Sequence, residues 1–434
     1  MDKRNTIFII IFLVIIINTP LIIFLSGNQE FSYSENRELV QLPTSIDEYD
    51  IESFFDKKLQ DTLENGLSDQ FLFRASIQDY IKRLELEFGM VFAHNTEPTV
   101  EPEPVDPEPE EESFDYLVEA DKKTYVTPTD FTLHSFSDTG VYYLSSEPNR
   151  AFNGPILDVE GRIEKVTTRI EEINSLVDEY PEISFYVYKP TQIQETSFFD
   201  QDNGISSLGP RFDELFKTLL KAEYKSFKLD DFTDYQKSFY LTDHHWNQYG
   251  SQIGYEEILE MLSPNEKPYL PTGQYCIYDK MYGTFTYRVG RVIEGEDFCI
   301  YDYDLPDNEF LYSDQWRGSR KDTKAFQDKD YKNNNLNYYD IAFAQHHGVI
   351  SQYNEGKEGN LLVIRDSYAN TITDLLAHHF KNVFFVHPVY YWHENGKHLN
   401  YREFIEEYEI DKVLFMYTIE NYFYDEAYEN YVIH

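Results

Sequence analysis

Apolar and polar positions are arranged along this chain in several distinct ways, and each predicts a different element. Between Ile7 and Leu25 nearly every residue is apolar, with only Asn18, Thr19 and Pro20 interrupting. A run of that length, roughly 20 residues, crosses a bilayer as a helix. From Ile51 to Phe88 apolar residues recur at helical spacing, among them Phe54, Leu59, Leu63, Phe71, Ile77, Ile81 and Leu84. That spacing predicts a membrane-proximal helical region over 29–95, either a stalk or docking surface or a small packed subdomain. From Glu97 to Glu112 proline alternates with acid, the pattern of an extended, self-repelling linker over 96–113.

Beyond Phe114 helical and strand periods alternate. Ile163 to Val177 and Phe212 to Tyr224 read as amphipathic helices, and Ile183 to Tyr188 as a buried strand. Tyr249 to Leu262 reads as a further helix, and Tyr275 to Asp304 as antiparallel strands rich in aromatic and β-branched residues. The last third predicts a strand at Leu361–Ile364, a helix from Tyr368 to Phe380 and a strand at Val383–Val386. A helix from Tyr401 to Tyr408 and a strand at Lys412–Tyr417 follow. Strands alternating with helices imply an α/β domain over 114–434, a parallel sheet with helices on both faces. In such sheets sites form beyond the carboxyl ends of the strands.

The charge changes the picture on partners. The 434 residues carry a formal net charge of −41, which repels nucleic acid and anionic headgroups and excludes a nucleic-acid role. Lys3 and Arg4 precede the apolar run, and Glu30, Glu35 and Asp47 follow it. Positive charge stays inside, so the bulk of the chain is expected outside the membrane. No small-x-small cleavage site follows the run, so residues 1–28 read as an uncleaved anchor rather than a signal peptide. Aromatic residues make up 17%, which fits sugar-stacking surfaces as well as strand and core positions. Cys276 and Cys299 lie in similar strand contexts. A disulfide between neighbouring strands and two buried thiols both fit that spacing.

Chemistry concentrates in two places. The loop Leu241-Thr242-Asp243-His244-His245-Trp246-Asn247 puts a carboxylate two residues from an imidazole. A carboxylate can fix the tautomer of a histidine, which then serves as a general base. Far downstream, Ile364-Arg365-Asp366-Ser367-Tyr368-Ala369-Asn370 ends an apolar strand and begins a helix. Ser367 is the nucleophile of this reading, His245 its base and Asp243 the residue that orients the base, with His244 as an alternative base. The helix start offers backbone N–H groups to an oxyanion, and Asn370 a further donor. Read alone, Asp366-Ser367 is an ordinary helix cap. Trp246 reads as a packing residue walling the site before it reads as a sugar platform. Three histidine pairs, His244-His245, His346-His347 and His378-His379, raise zinc as rival chemistry. Adjacent strand residues face opposite ways, which argues against a pair serving one ion, so no metal or other cofactor is expected.

Taken together, Thr242-Asp243-His244-His245-Trp246, Asp366-Ser367-Tyr368-Ala369-Asn370, Ser34-Glu35-Asn36-Arg37 and Ser68-Asp69-Gln70-Phe71-Leu72-Phe73-Arg74 resemble the signatures of the DHHW family. That family is related to the alginate-acetylation proteins, which have a three-layer SGNH-hydrolase-like fold. The resemblance covers most of the chain outside the acidic linker. It implies an Asp-x-His plus Ser triad at Asp243, His245 and Ser367; Tyr368, Asn370, Trp246 and His244 stand beside these motifs as the candidates for oxyanion or substrate contacts. It also implies O-acetyl transfer to a cell-envelope or secreted polysaccharide, at the outer face of the membrane, beside a membrane-bound O-acyltransferase that supplies the acyl group. An esterase with the same triad and a non-catalytic glycan-binding scaffold of an export complex are the alternatives. Two features depart from the pattern: Arg365 stands where SGNH enzymes usually have glycine, and Gln345-His346-His347-Gly348 replaces a Gly-Gly-Asn-like stretch.

Overall fold

Continuous apolar runs become the centre of a sheet. The computed structural model describes residues 31–32, 37–38, 114–123, 133–136, 141–144, 150–157, 161–198, 207–285, 295–306, 310–312, 315–317, 338–343, 347–424 and 429–433. The expected anchor at 1–28 and linker at 96–113 lie outside these, apart from the start of the domain at Phe114. Of the region 29–95 only a two-stranded ladder, Phe31–Ser32 with Arg37–Glu38, is described. Among the described residues no helix is long and apolar enough to cross a membrane. The chain divides into two units, Met1–Val105 and Asp106–His434. The sheet and the site belong to the second.

That unit opens with helix α1 (Tyr116–Lys122) and a small antiparallel sheet of β1 (Leu133–Phe136), β2 (Val141–Leu144) and β3 (Arg150–Asn153). There follow α2 (Arg162–Glu179), β4 (Ser184–Lys189), α3 (Gly209–Leu219), β5 (Glu223–Ser226), α4 (Phe232–Ser238) and α5 (Gln248–Leu262). A hairpin of β6 (Gly273–Met281) and β7 (Glu296–Asp302) comes next, then β8 (Phe310–Tyr312), β9 (Gln315–Arg317) and α6 (Tyr338–Phe343). The chain closes with β10 (Val349–Tyr353), β11 (Asn360–Arg365), α7 (Thr373–Ala377), β12 (Asn382–Val386), α8 (Pro388–Asn395), α9 (Tyr401–Glu407) and β13 (Lys412–Met416).

The main sheet has eight strands in the order β9-β8-β10-β12-β11-β13-β4-β5. Strands β12, β11, β13, β4 and β5 pair in parallel, as the alternation of strands and helices predicts. The other three add antiparallel to one edge, so the sheet is mixed and parallel-dominated rather than wholly parallel. The burial patterns account for the division. β11 and β13 are buried at nearly every position, as strands covered on both faces must be. β10 alternates buried and half-exposed, the mark of a strand with one open face.

Side-chain alternation along β11 splits the core in two. Leu361 and Val363 join α5 and α7 on one face, with Trp246, Tyr255 and Tyr368. Leu362 and Ile364 join α2, α3 and α9 on the other. A third cluster, Tyr240, Met281, Phe298, Ile300, Tyr339 and Phe343, ties the β6–β7 hairpin to α6.

Two expected helices end differently. The helix read from Phe212 to Tyr224 stops at Leu219, and Tyr224 belongs to β5. Tyr224 stacks on Phe216 with ring centroids 5.1 Å apart, so its apolar face serves the same core without continuing the helix. The helix read from Tyr368 to Phe380 is a 3₁₀ turn over Ser367–Thr371 followed by the short α7.

Of the two fates open to the cysteines, the structure takes the disulfide. Cys276 and Cys299 are directly paired across the hairpin and bonded. The bond closes a loop of 23 residues, and a loop of that size is worth about 3 kcal/mol in the chain-entropy account. Serine at both positions is expected to lower unfolding stability by that amount, measured by urea denaturation, with added reductant giving the same loss in the wild-type chain.

Candidate active site

The loop between α4 and α5 is tied at both ends before its side chains are considered. Tyr240 N–H donates to the His245 carbonyl at 3.2 Å and Asn247 N–H to the Ser238 carbonyl at 2.9 Å. Asn247 also caps α5 by accepting from Gly250 N–H at 3.0 Å. Trp246 is wholly buried and its indole N–H donates to the Tyr368 carbonyl at 3.0 Å. Trp246 therefore joins the loop to the turn that carries Ser367, and its ring is not available as a sugar platform.

The β6–β7 hairpin holds the loop from the other side. The Glu296 carboxylate accepts from the N–H groups of Leu241 and Thr242 at 2.7 and 2.6 Å and from the Thr242 hydroxyl at 2.7 Å. Thr284, just past β6, donates to Asp243 Oδ2 from its N–H at 2.8 Å and its hydroxyl at 2.5 Å. Gly283 lies against this contact: a Cβ there would sit 2.4 Å from the Asp243 Cβ and 2.6 Å from the Thr242 carbonyl oxygen. Gly283→Ala must push the loop away. Because a displacement of about 1 Å can cost on the order of 100-fold in rate, kcat is expected to fall by that factor, measured on a small acetyl ester.

Within this frame Asp243 Oδ1 accepts from the His245 N–H at 3.1 Å and faces His245 Nδ1 at 2.6 Å. A carboxylate only accepts, so Nδ1 carries the proton and Nε2 is left with a lone pair. Nε2 lies 2.8 Å from Ser367 Oγ. The order is thus carboxylate, imidazole, hydroxyl, with Asp243 and His245 buried and Ser367 half-buried. Burial by itself would raise the Asp243 carboxyl. The nearby His244 and His245 and the hydrogen bonds from His245 and Thr284 outweigh it, and hold the group well below the usual carboxylate range.

Ser367 stands past the carboxyl end of β11, the position expected for a site in a parallel sheet. The cap of its 3₁₀ turn is Asp366, which accepts from Tyr368 N–H at 3.0 Å. Asp366 Oδ2 accepts in addition from Thr418 N–H at 2.7 Å, the Thr418 hydroxyl at 3.0 Å and Asn421 Nδ2 at 3.0 Å. The turn's N–H groups are therefore not all open, contrary to the expectation from the sequence. Those of Tyr368 and Ala369 are bonded to Asp366, leaving the N–H of Ser367 as the donor at the start of the turn.

The remaining residues singled out by the sequence divide between packing and site. Asn370 is buried and its Oδ1 accepts from Arg365 Nη1. Arg365 is wholly buried, and burial pushes its guanidinium down to about 10, which still leaves it charged at neutral pH. The Tyr368 hydroxyl meets the Gln192 carboxamide at 2.9 Å and donates to the His244 carbonyl, so it braces the loop. His244 is part-exposed, with Nδ1 3.5 Å from Asp243 Oδ1 and 3.3 Å from the Thr284 hydroxyl.

The expectation that His244 and His245 face opposite ways fails, because the loop is bent rather than extended. Their ring centroids are 3.9 Å apart. Asp243, His244 and His245 consequently offer ligand atoms within 4.8 Å of one another. The atoms of Asp243 and His245 in that set are engaged by Thr284, by each other and by Ser367. His378 and His379 serve packing. His378 Nδ1 and Nε2 meet the carbonyls of Asp374 and Pro306. His379 bonds the Tyr255 hydroxyl, and burial lowers it to about 4, neutral at physiological pH. Gln345 and His346 lie outside the described residues, while Gly348 packs against the Tyr391 backbone of α8 and His347 lies 3.8 Å from Glu394.

Sequence reasoning missed Gln192, Gly283, Thr284, Glu296 and Tyr339. None lies in a motif, and each reaches the loop or the serine through the fold alone.

No family model matches the chain, and no curated protein matches it. Among solved structures it is similar to Bacillus cereus PatB1 carrying a sulfonyl adduct, 18% identical, with 69% of this chain and 99% of that one covered and a TM-score of 0.52. A second PatB1 structure is 20% identical over 64% of this chain and 96% of that one, with a TM-score of 0.50. At these identities the likeness is one of fold. The similar structures also include a DHHW family protein from Eubacterium siraeum, 14% identical over 68% of this chain and 96% of that one, with a TM-score of 0.48.

Proposed function

We propose that the chain is an O-acyltransferase that places an acetyl group on a hydroxyl of a cell-envelope or secreted glycan through an acyl-Ser367 intermediate. The observation that carries this reading is the hydrogen-bonded line from Asp243 through His245 to Ser367. Ser367 Oγ attacks the carbonyl carbon of the acyl donor while His245 Nε2 takes the hydroxyl proton. Asp243 holds the imidazolium so formed. The oxyanion gathers beside the Ser367 N–H. Collapse expels the donor's leaving group, which takes the proton from His245. A glycan hydroxyl then gives its proton to the same nitrogen and attacks the ester carbon; the Oγ–acyl bond breaks, His245 returns the proton to Ser367 Oγ, and the glycan leaves with the acetyl group.

A glycan acceptor is favoured by the resemblance of the Asp243–Trp246 and Asp366–Asn370 segments to proteins that acetylate polysaccharide. The resemblance of the DHHW and Asp-Ser segments to polysaccharide-acetylating proteins favours acetyl as the group moved. The same resemblance, with the apolar run at Ile7–Leu25, favours a reaction at the outer face of the membrane, fed by a membrane-bound O-acyltransferase.

Acceptor dependence tests the reading. With a chromogenic acetyl ester as donor, release of the chromophore by the full-length chain should rise when acetyl-free polysaccharide is added, and acetyl groups should appear on the polysaccharide. Release that is indifferent to polysaccharide, with free acetate as the product, makes water the acceptor and the chain an esterase. A chain that needs no Ser367 for its effect is a scaffold.

A further inference from the structure

We propose that Tyr339 is a positioning residue for the proton relay, its ring fixing the His245 imidazole and its hydroxyl fixing the Ser367 backbone. The proposal rests on the reading of Asp243, His245 and Ser367 given above. Tyr339 lies on α6, wholly buried. Its ring stacks on the His245 imidazole with centroids 3.8 Å apart and planes 9° apart. Its hydroxyl donates to the Ser367 carbonyl at 2.7 Å. One side chain therefore touches both sides of the 2.8 Å contact between His245 Nε2 and Ser367 Oγ.

The two contacts constrain what Asp243 leaves loose. A hydrogen bond at Nδ1 fixes the tautomer and the rotation of the imidazole within its plane. It resists tilting of the ring out of that plane only weakly, because hydrogen bonds tolerate a broad angular range. A ring lying flat on the imidazole blocks that tilt. The bond to the Ser367 carbonyl fixes the height of the serine backbone against the same ring, so nucleophile and base share one reference surface.

That surface is itself anchored. Tyr339 packs on Phe343 with centroids 5.3 Å apart and on Tyr240 at 6.3 Å, within the cluster that includes Met281 and Phe298 of the β6–β7 hairpin. The hairpin thus supports the relay twice, through Glu296 and Thr284 on the loop and through Tyr339 on the imidazole face. Tyr339 gives and takes no proton in the reaction and acts by holding His245 and Ser367.

The test compares Tyr339→Phe, Tyr339→Leu and Ser367→Ala with the wild type in the full-length chain. Each is assayed for kcat and KM on a chromogenic acetyl ester and for the rate at which an aryl sulfonyl fluoride labels Ser367, both expressed per folded molecule. Tyr339→Phe keeps the stack and loses one hydrogen bond, so kcat should fall about 5- to 10-fold. Tyr339→Leu loses both contacts, and kcat should fall on the order of 100-fold. KM should stay at the wild-type value in both, and labelling should slow in the same order. A merely structural role would lower the folded fraction and leave these per-molecule rates alone. Wild-type rates in Tyr339→Phe overturn the hydroxyl's part, which stays testable even where the leucine variant fails to fold. Wild-type rates in both variants, with Ser367→Ala inactive, overturn the proposal and leave the relay standing. Full activity in Ser367→Ala overturns the relay and the proposal with it.

Discussion

Ser367→Ala should lower kcat by about 10⁵- to 10⁶-fold on any acyl donor and leave the fold unchanged. The loss is expected to be large because, in the proposed mechanism, the hydroxyl is the atom that becomes the ester. No neighbour substitutes for it: the Tyr368 hydroxyl is turned to Gln192 and His244. The fold is spared because Asp366, not Ser367, caps the 3₁₀ turn and bridges to Thr418 and Asn421. Deleting Oγ forfeits only the contact with His245. Steady-state rates beside a thermal melt check both halves of the expectation. A scaffold would show wild-type function after the same change.

Asp243→Asn should cost about 10⁴-fold in kcat, the size of effect known for an amide in this position of a Ser/His/Asp triad. The structure supplies the reason. Asp243 accepts from four donors, two from His245 and two from Thr284. A carboxamide has one acceptor oxygen and one donor nitrogen, so it cannot receive all four. If its nitrogen meets His245 Nδ1, the imidazole takes the wrong tautomer and Nε2 can no longer accept the serine proton. If its nitrogen meets Thr284, the N–H there faces a donor and the loop loses its tie to the hairpin. Either orientation leaves a buried group unsatisfied, which costs about 1–3 kcal/mol of stability.

The pH dependence of the wild type follows from the same contacts. The Asp243 carboxyl is held well below its usual range in the folded chain. Its contribution to stability is fully present above the unfolded value of about 3.9 and is lost only as pH falls through the lower folded value. The asparagine variant should lack that acid-side loss, measured by chemical denaturation at descending pH.

How far the fold could be read from the sequence depended on the range of the interactions. β11 and β13 are runs buried on both faces, β12 is largely buried, and their apolar continuity marks all three in the sequence. Asp243, His245 and Ser367 could be named because residue type and local pattern mark them: a carboxylate two residues from an imidazole, and a serine after a buried strand. The antiparallel edge could not, because β8 and β9 are three residues each, β9 pairing with β8 and β8 with β10. Tyr224 misled because stacking on Phe216 needs the same apolar character as one more helical turn. The bend that brings His244 beside His245 has no local signature either. It is imposed by Glu296 and Thr284, which lie 54 and 41 residues from the positions they hold. Tyr339 is one tyrosine among 37, and only the fold distinguishes it.

The central claim is that Ser367 carries the acyl group between donor and glycan. The most direct measurement is intact-mass and peptide mapping of the full-length chain, quenched within the first turnovers after mixing with the acetyl ester and no acceptor. The account predicts one added acetyl group on Ser367, discharged when polysaccharide is supplied and absent in Ser367→Ala. An unmodified serine during turnover, or transfer to the glycan that persists in Ser367→Ala, contradicts it.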